Sequence, residues 1–178
     1  MNRPWIIGVM GGGDASDRDC GTAYELGRQI ARKGWILLNG GRNRGIMDAS
    51  AKGAWEAGGI TLGILPDDTA HQASSFIRIP VLTGMGSARN CINILTSHVV
   101  IACPGGAGTL SEIALALKHG RPVILLQFDS CRWFDTVARP GPLFEADTPG
   151  EAVARIRDLI EKWNSSGWPR PGQDPPGS

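Results

Sequence analysis

The sequence predicts a single α/β domain of the Rossmann-like, doubly wound type, with a parallel sheet covered by helices on both faces. Short runs that are apolar throughout, such as residues 35–39 (WILLN) and 98–103 (HVVIAC), are typical of strands buried on both sides. Segments with helical spacing of apolar residues alternate with these runs, which is the pattern of a parallel sheet with crossover helices. A chain of 178 residues with 42% apolar content suits one domain.

Six strands are predicted. Pro80 lacks a backbone N–H, which favours an edge position for the fourth strand. The sixth is the last clear strand of the sequence. The predicted strands are residues 5–10, 35–39, 60–65, 77–82, 98–103 and 122–126.

Five helices are predicted between and after these strands. The first has apolar residues at helical spacing, a candidate N-cap at Asp14, Ser16 or Asp17, and a stop at Gly34. The others are predicted at residues 45–59, 87–97, 109–120 and 150–163. The last of them has a clear apolar stripe and closes the domain.

The domain is predicted to cover residues 1–163, followed by a flexible tail at 164–178 with four prolines and three glycines in fifteen residues. Residues 127–149 are predicted to be rich in loops. They are either a lid over a pocket, with Trp133 and Phe134 as its aromatic residues, or plain surface.

Composition excludes several classes of function. The net charge of +1 argues against a nucleic-acid binder, which normally has a basic face. The chain shows no signal sequence and no apolar run near the roughly 20 residues of a membrane span, so we expect a soluble, cytoplasmic protein. Four scattered cysteines and three isolated histidines indicate neither a disulfide framework nor a metal site.

Three glycine-rich loops follow predicted strands, at residues 11–13, 40–45 and 104–108. In a parallel sheet these loops lie at the same edge, so we expect one shared ligand site there. Glycine allows close approach of a ligand to the backbone, and the following helix offers free N–H groups, which suits a phosphate. The alternative is that these glycines only permit tight packing of helix on strand.

Common nucleotide motifs are absent from these loops. Residues 8–15 (GVMGGGDA) lack the GxGxxG spacing, and no GxxxxGK[ST] sequence occurs. The charged candidates near the loops are Arg42 and Arg44 in GGRNRG, Arg89 at the start of a predicted helix, and Glu112. A cation is unfavourable at a helix N-terminus, so an anionic ligand or Glu112 is expected beside Arg89.

Residues 104–112 (PGGAGTLSE) resemble the PGGxGTxxE signature of the LOG family, also called lysine-decarboxylase-like. The resemblance extends over about residues 5–130 through IGVMGGG, NGGRNRGIM and GMGSARN. It implies a nucleoside 5′-monophosphate phosphoribohydrolase, in which Arg89 and Glu112 would be the catalytic residues that cleave the N-glycosidic bond.

Three positions depart from the hydrolase pattern. Asn90 stands where the hydrolases usually have lysine, Ser111 where they have a second acid, and Arg42 where they have a third glycine. These departures make the chain similar to a neighbouring branch, the molybdenum cofactor carrier proteins. That resemblance implies a binder of molybdopterin, a pterin with a terminal phosphate, that stores, protects and delivers it without catalysis. We prefer the carrier and keep the hydrolase open.

The predicted ligand-binding set combines the three loops with the segment before the third helix. It comprises Gly11, Gly12, Gly13, Gly40, Gly41, Arg42, Asn43, Gly45, Met85, Gly86, Arg89, Asn90, Pro104, Gly105, Gly106, Ala107, Gly108, Thr109 and Glu112.

The resemblance also implies partners. The ligand is a phosphorylated pterin or a nucleotide, and the metal of a molybdenum cofactor would come with the ligand rather than be bound by protein side chains. Further expected partners are molybdoenzymes or cofactor-synthesis proteins, and a second copy of the chain in a dimer or tetramer. A distant relative of the DNA-processing DprA type binds single-stranded DNA, but the near-neutral charge and the lack of stacking aromatic residues near the loops argue against that role. Neither nucleic acid nor a membrane is expected as a partner.

Overall fold

A computed structural model describes residues 3–128 and 141–166. The strands in that part of the chain are β1 (Ile6–Met10), β2 (Ile36–Asn39), β3 (Thr61–Leu65), β4 (Ile79–Leu82), β5 (Val99–Ala102), β6 (Val123–Leu126) and β7 (Leu143–Ala146). The helices are α1 (Asp17–Arg32), α2 (Gly45–Glu56), α3 (Asn90–Thr96), α4 (Ala107–Lys118) and α5 (Pro149–Ser166), with a 3-10 helix at Gly86–Arg89.

All the strand pairs are parallel, and the order across the sheet is β4-β3-β2-β1-β5-β6-β7. The chain therefore winds outward in one direction from β1 and in the other from β5. This is the doubly wound arrangement, and the predicted fold class is confirmed. The order reverses between β1 and β5, so a crevice opens beyond the carboxyl ends of these two strands.

Helices cover the two faces of the sheet unequally. On one face, α1, α2 and α5 pack over a core that includes Leu26, Ile46 and Ile156, all fully buried. On the other face, α3 and α4 cover a second core with Ile94 and Ile113. Because α3 has only seven residues, this second layer is the thinner one.

Helices α1 and α2 cross at very short range because each presents a glycine to the other. A Cβ atom on Gly27 would collide with the carbonyl oxygen of Ser50, and one on Gly53 would collide with that of Tyr24. The close crossing brings the loops that precede the two helices side by side at the edge where β1 and β2 end.

Three predicted boundaries differ from the structure. The predicted loop-rich region contains an additional strand, β7, which pairs with β6. The helix predicted at 87–97 starts as a 3-10 turn and becomes α-helical only at Asn90. Helix α5 extends through Ser166, three residues beyond the predicted end of the domain.

Other predictions agree with the structure or fall outside it. Pro80 lies in β4 at the edge of the sheet, as expected. Ser16 is the N-cap of α1 and forms a reciprocal capping box with Asp19. The lid candidates Trp133 and Phe134, and the tail beyond Ser166, lie outside the described residues. Among the described helices, none combines the length and apolar composition that a bilayer span requires.

Candidate functional site

A cavity of about 210 Å³ opens at the carboxyl ends of the central strands, at the point where the strand order reverses. Its walls come from the ends of β1, the first two glycine loops, helix α2, the start of α3 and the start of α4. The residues that line it are Val9, Met10, Gly11, Gly12, Gly13, Gly40, Met47, Arg89, Asn90, Gly106, Gly108, Thr109 and Glu112.

Backbone hydrogen bonds join the three glycine loops into one unit. The N–H of Gly12 donates to the carbonyl of Pro104 at 3.0 Å, which links the first loop to the third. The N–H of Ile46 donates to the carbonyl of Gly12 at 3.0 Å, which links the second loop to the first. Gly45 has φ of +55°, and a Cβ there would collide with the Gly12 carbonyl. A side chain at this position would push the loops apart.

The start of α4 has the properties of an anion site. Its N-cap is Gly106, and no side chain caps the first turn. The helix therefore directs unpaired N–H groups and the positive end of its dipole at the cavity. Thr109 is 3% exposed and lines the cavity, and its hydroxyl has no hydrogen-bond partner within residues 3–128 and 141–166. A ligand with phosphate oxygens would satisfy these donors.

Glu112 is a buried carboxylate in the cavity lining, 6% exposed. Its Oε1 accepts a hydrogen bond from Asn93 Nδ2 at 2.8 Å and lies 3.5 Å from Arg89 Nη1. Burial raises the pKa of Glu112, and the hydrogen bond from Asn93 and the charge of Arg89 offset this effect only in part.

Arg89 lies beside Glu112 in the cavity lining, with its side chain 12% exposed. Its Nη1 donates to Asn90 Oδ1 at 2.6 Å, and its Nη2 lies beside Gly40, where a Cβ would come within 2.6 Å. Burial lowers the pKa of the Arg89 guanidinium, while the charge of Glu112 opposes this shift. Glu112 is thus the anionic neighbour that the position of Arg89 predicted.

Two of the positions that depart from the hydrolase pattern contact each other. Asn90 Nδ2 donates to Ser111 Oγ at 3.2 Å, and Ser111 Oγ donates to the carbonyl of Gly108 at 2.7 Å. Asn90 thus connects Arg89 to the first turn of α4. Its Oδ1 is an acceptor for Arg89, a role that lysine, which has only donors, could not fill.

The arginines of the second loop are paired with acids rather than directed into the cavity. Arg42 Nη2 lies 3.0 Å from Asp67 Oδ2, and its backbone forms an antiparallel bridge with Ala73. Arg44 forms an ion pair with Asp14 above Gly13. Neither arginine is among the lining residues.

Of the predicted binding residues, ten line the cavity: Gly11, Gly12, Gly13, Gly40, Arg89, Asn90, Gly106, Gly108, Thr109 and Glu112. The others support the loops or lie beside them: Gly41, Arg42, Asn43, Gly45, Met85, Gly86, Pro104, Gly105 and Ala107. Sequence reasoning missed Val9, Met10 and Met47 as lining residues, and Asn93 as the partner of Glu112. Val9 and Met10 lie at the end of β1 and Met47 lies in α2. Which side chains of these elements face the cavity becomes apparent only in the folded chain.

Within the described segments, His, Cys, Asp and Glu side chains form no group of three that could hold a metal ion. Cys103 is fully buried, and burial raises the pKa of its thiol to about 12. It is therefore an inert core residue at neutral pH.

The family model described as the SLOG cluster4 family matches residues 4–153. The chain belongs to this family. SLOG cluster4 thus covers every element from β1 to the first turn of α5.

Two solved structures are similar to this SLOG cluster4 chain over nearly their whole length. The molybdenum cofactor binding protein of Rippkaea orientalis is 46% identical, with a TM-score of 0.84 over 89% of this chain and 98% of that protein. The molybdenum cofactor carrier protein of Chlamydomonas reinhardtii is 44% identical, with a TM-score of 0.82 over 89% and 99% of the two chains.

An enzyme is also related to this chain, at lower identity. The cytokinin riboside 5′-monophosphate phosphoribohydrolase of Mycobacterium tuberculosis is 31% identical over 136 residues, which cover 67% of this chain and 71% of that protein. The resemblance to the LOG family and the similarity to the carrier branch are therefore both confirmed.

Proposed function

We propose that this protein binds molybdenum cofactor as a storage and carrier protein that protects and delivers it. Two solved structures named for binding or carrying that cofactor share 44–46% identity with 89% of the chain. The hydrolase relative is more distant, at 31%. The ligand's terminal phosphate would lie at the start of α4, and the cofactor would bring its own metal.

The observation that supports this proposal best is the uncapped start of α4 with the unpaired Thr109 hydroxyl in the cavity. Free N–H groups, a helix dipole and a hydroxyl together form a phosphate site. Hydrogen bonds to a charged group are each worth about 1.5–3 kcal/mol, so loss of one weakens binding measurably.

The Thr109 hydroxyl tests this assignment. Cofactor released from a molybdoenzyme would be mixed with the ligand-free protein, and the retained pterin would be quantified by fluorescence after gel filtration. We expect the wild type to retain cofactor and Thr109→Val, which has the same shape without the hydroxyl, to bind about tenfold or more weakly.

Thr109→Ser is the matched control because it keeps the hydroxyl, and it should retain most of the affinity. Retention by neither the wild type nor Thr109→Ser would overturn the carrier function. Equal affinity of wild type and Thr109→Val for the cofactor would show that its phosphate does not bind to the Thr109 hydroxyl.

A second candidate function is hydrolysis of nucleoside 5′-monophosphates. One observation favours it: Arg89 and Glu112 lie in the same cavity, with Nη1 and Oε1 3.5 Å apart. A buried carboxylate could stabilise an oxocarbenium-like ribose or activate water.

Free-base release from a panel of purine and pyrimidine nucleotides, with Glu112→Gln as control, separates the two functions. We expect no release from any nucleotide. Release by the wild type that disappears in Glu112→Gln would establish the hydrolase instead.

We further propose that the protein is a homo-oligomer and transfers its cofactor to molybdoenzymes or exchanges it with cofactor-synthesis proteins. Support for self-association comes from exposed apolar side chains on β4, on helices α3 and α4 and in the segment before α3: Ile79, Val81, Met85, Leu95 and Leu110. Each is between 37% and 49% exposed. Exposed apolar residues in such number are typical of an interaction surface.

A further inference from the structure

Arg89 and Glu112 each present one free polar atom to the cavity. Glu112 Oε1 is bound by Asn93 and faces Arg89, but Oε2 has no hydrogen-bond partner among the described residues. Arg89 Nη1 is bound by Asn90 and faces Glu112, whereas Nη2 has no partner in the same part of the chain. Neither free atom is fully enclosed by protein. Two lining residues, whose Nη1 and Oε1 atoms are 3.5 Å apart, therefore offer one unpaired donor and one unpaired acceptor.

The two free atoms are fixed in place through the other halves of their side chains. Asn93 is fully buried and holds the Glu112 carboxylate with a 2.8 Å hydrogen bond, and Asn90 holds the Arg89 guanidinium with one of 2.6 Å. Rotation of either group would break these bonds between mostly buried side chains, which is costly. A donor and an acceptor held in this way are suited to recognise a ligand edge of defined geometry.

The chemistry of the pair selects the ligand group. Glu112 Oε2, when ionised, accepts only, and Arg89 Nη2 donates only. The complementary ligand edge is therefore an N–H beside a C=O, which is a lactam. An anionic group would pair with Arg89 but would be repelled by the carboxylate 3.5 Å from it.

Glu112 of this pair also lies on the same helix as the anion site at the start of α4. Thr109 and Glu112 are three residues apart, so they occupy one face of α4 and are separated by about 4.5 Å along the helix axis. A ligand with its phosphate at the helix start and a lactam ring one turn further along would contact both.

We infer that Arg89 and Glu112 recognise the lactam edge of the carried pterin, and that Asn90 and Asn93 are the positioning residues of this pair. The inference rests on the proposed function, since it takes the ligand to be a phosphorylated pterin. In this assignment the two charged residues set ligand specificity and perform no proton transfer.

A matched pair of fluorescent probes tests the inference: the monophosphate ester of 6-hydroxymethylpterin and the same compound methylated at N3. The methyl group removes the lactam N–H and leaves the phosphate unchanged. The wild type should bind the unmethylated probe at least tenfold more tightly. Glu112→Gln keeps the side chain's shape. It should lower the affinity for the unmethylated probe about 10–100-fold and change the affinity for the methylated probe by no more than about twofold.

Asn93→Leu tests the positioning role. It should lower the affinity for the unmethylated probe by a smaller factor than Glu112→Gln does, and it should leave the affinity for the methylated probe unchanged. Cys91→Ala, a half-buried residue of the same helix that does not line the cavity, is the control for general damage to α3 and should bind both probes as the wild type does.

The outcomes distinguish this inference from the proposed function. Equal affinity of the wild type for both probes, or an equal loss of both in Glu112→Gln, would overturn lactam recognition and leave phosphate binding intact. Absence of binding of both probes to the folded wild type would overturn pterin binding itself, and lactam recognition with it.

Discussion

Glu112 occupies surroundings that disfavour its charged form. Burial raises its pKa above the ordinary value of 4.5 despite the help of Asn93 and Arg89. The folded state therefore prefers the protonated carboxyl more strongly than the unfolded state does. It follows that the contribution of Glu112 to stability is fully present below about pH 4.5 and is lost as the pH rises through its raised pKa.

Replacement of Glu112 by glutamine should therefore stabilise the ligand-free protein at pH 7. Glutamine is neutral, has nearly the same shape, and can still accept from Asn93. We expect a higher Tm for Glu112→Gln at pH 7 and a difference that disappears towards pH 4. Thermal unfolding at several pH values measures this. A variant that is less stable than the wild type by the same amount at every pH would show that the charge of Glu112 does not cost stability.

For individual residues of the site, the sequence predicts the course of the backbone better than it predicts the side-chain contacts. The glycine loops were expected to converge, because strand ends in a parallel sheet share an edge, and the structure shows them joined through Gly12. The pairing of Arg42 with Asp67 was not foreseen, since the two residues are 25 positions apart and meet only through the order of β2 and β3. The role of Asn93 likewise depends on how α3 lies against α4.

Secondary structure elements were predictable where the hydrophobic pattern was long or unbroken. The strands from β1 to β6 are apolar runs, and α1 combines helical spacing with a capping box, so each has a clear local signal. Strand β7 has four residues, of which only Ala146 is buried, and it lies at the edge of the sheet. It forms by pairing with β6, and the sequence of these four residues alone does not indicate that pairing.

The 3-10 turn before α3 has a similar origin. Gly84 and Gly86 have positive φ, and the N–H groups of both donate to carbonyls of residues 66–67 in the loop after β3. These long-range bonds determine where the helix starts, so the periodic pattern of residues 87–97 alone could not locate it. The same contacts hold Arg89 at the junction of the two helical segments, facing the cavity.

For the whole molecule, the unequal covering of the sheet has a consequence for assembly. Helices α1, α2 and α5 cover one face of the sheet, whereas the opposite face has α4 and the short α3, and β4 is the edge strand beyond β2 and β3. Ile79, whose register partner Leu62 packs against the core on this face, and Leu95 of α3 are each 47% exposed there. Burying such side chains contributes roughly 25 cal/mol per Å² of apolar surface, so association of two copies through this layer would be favourable.

Light scattering coupled to gel filtration should therefore give a mass that is a whole multiple, two or four, of 18.9 kDa. Leu95→Lys places a charge on the exposed layer and should shift the protein to the monomer or raise its dissociation constant by at least tenfold, because a buried unpaired charge is costly at an interface. Trp55→Lys is the matched control: Trp55 is 46% exposed on α2, in the opposite layer, and its replacement should leave the mass unchanged. A wild type that is monomeric at micromolar concentration would contradict self-association. An assembly that persists in Leu95→Lys but dissociates in Trp55→Lys would show that the subunits associate through the layer that contains α2.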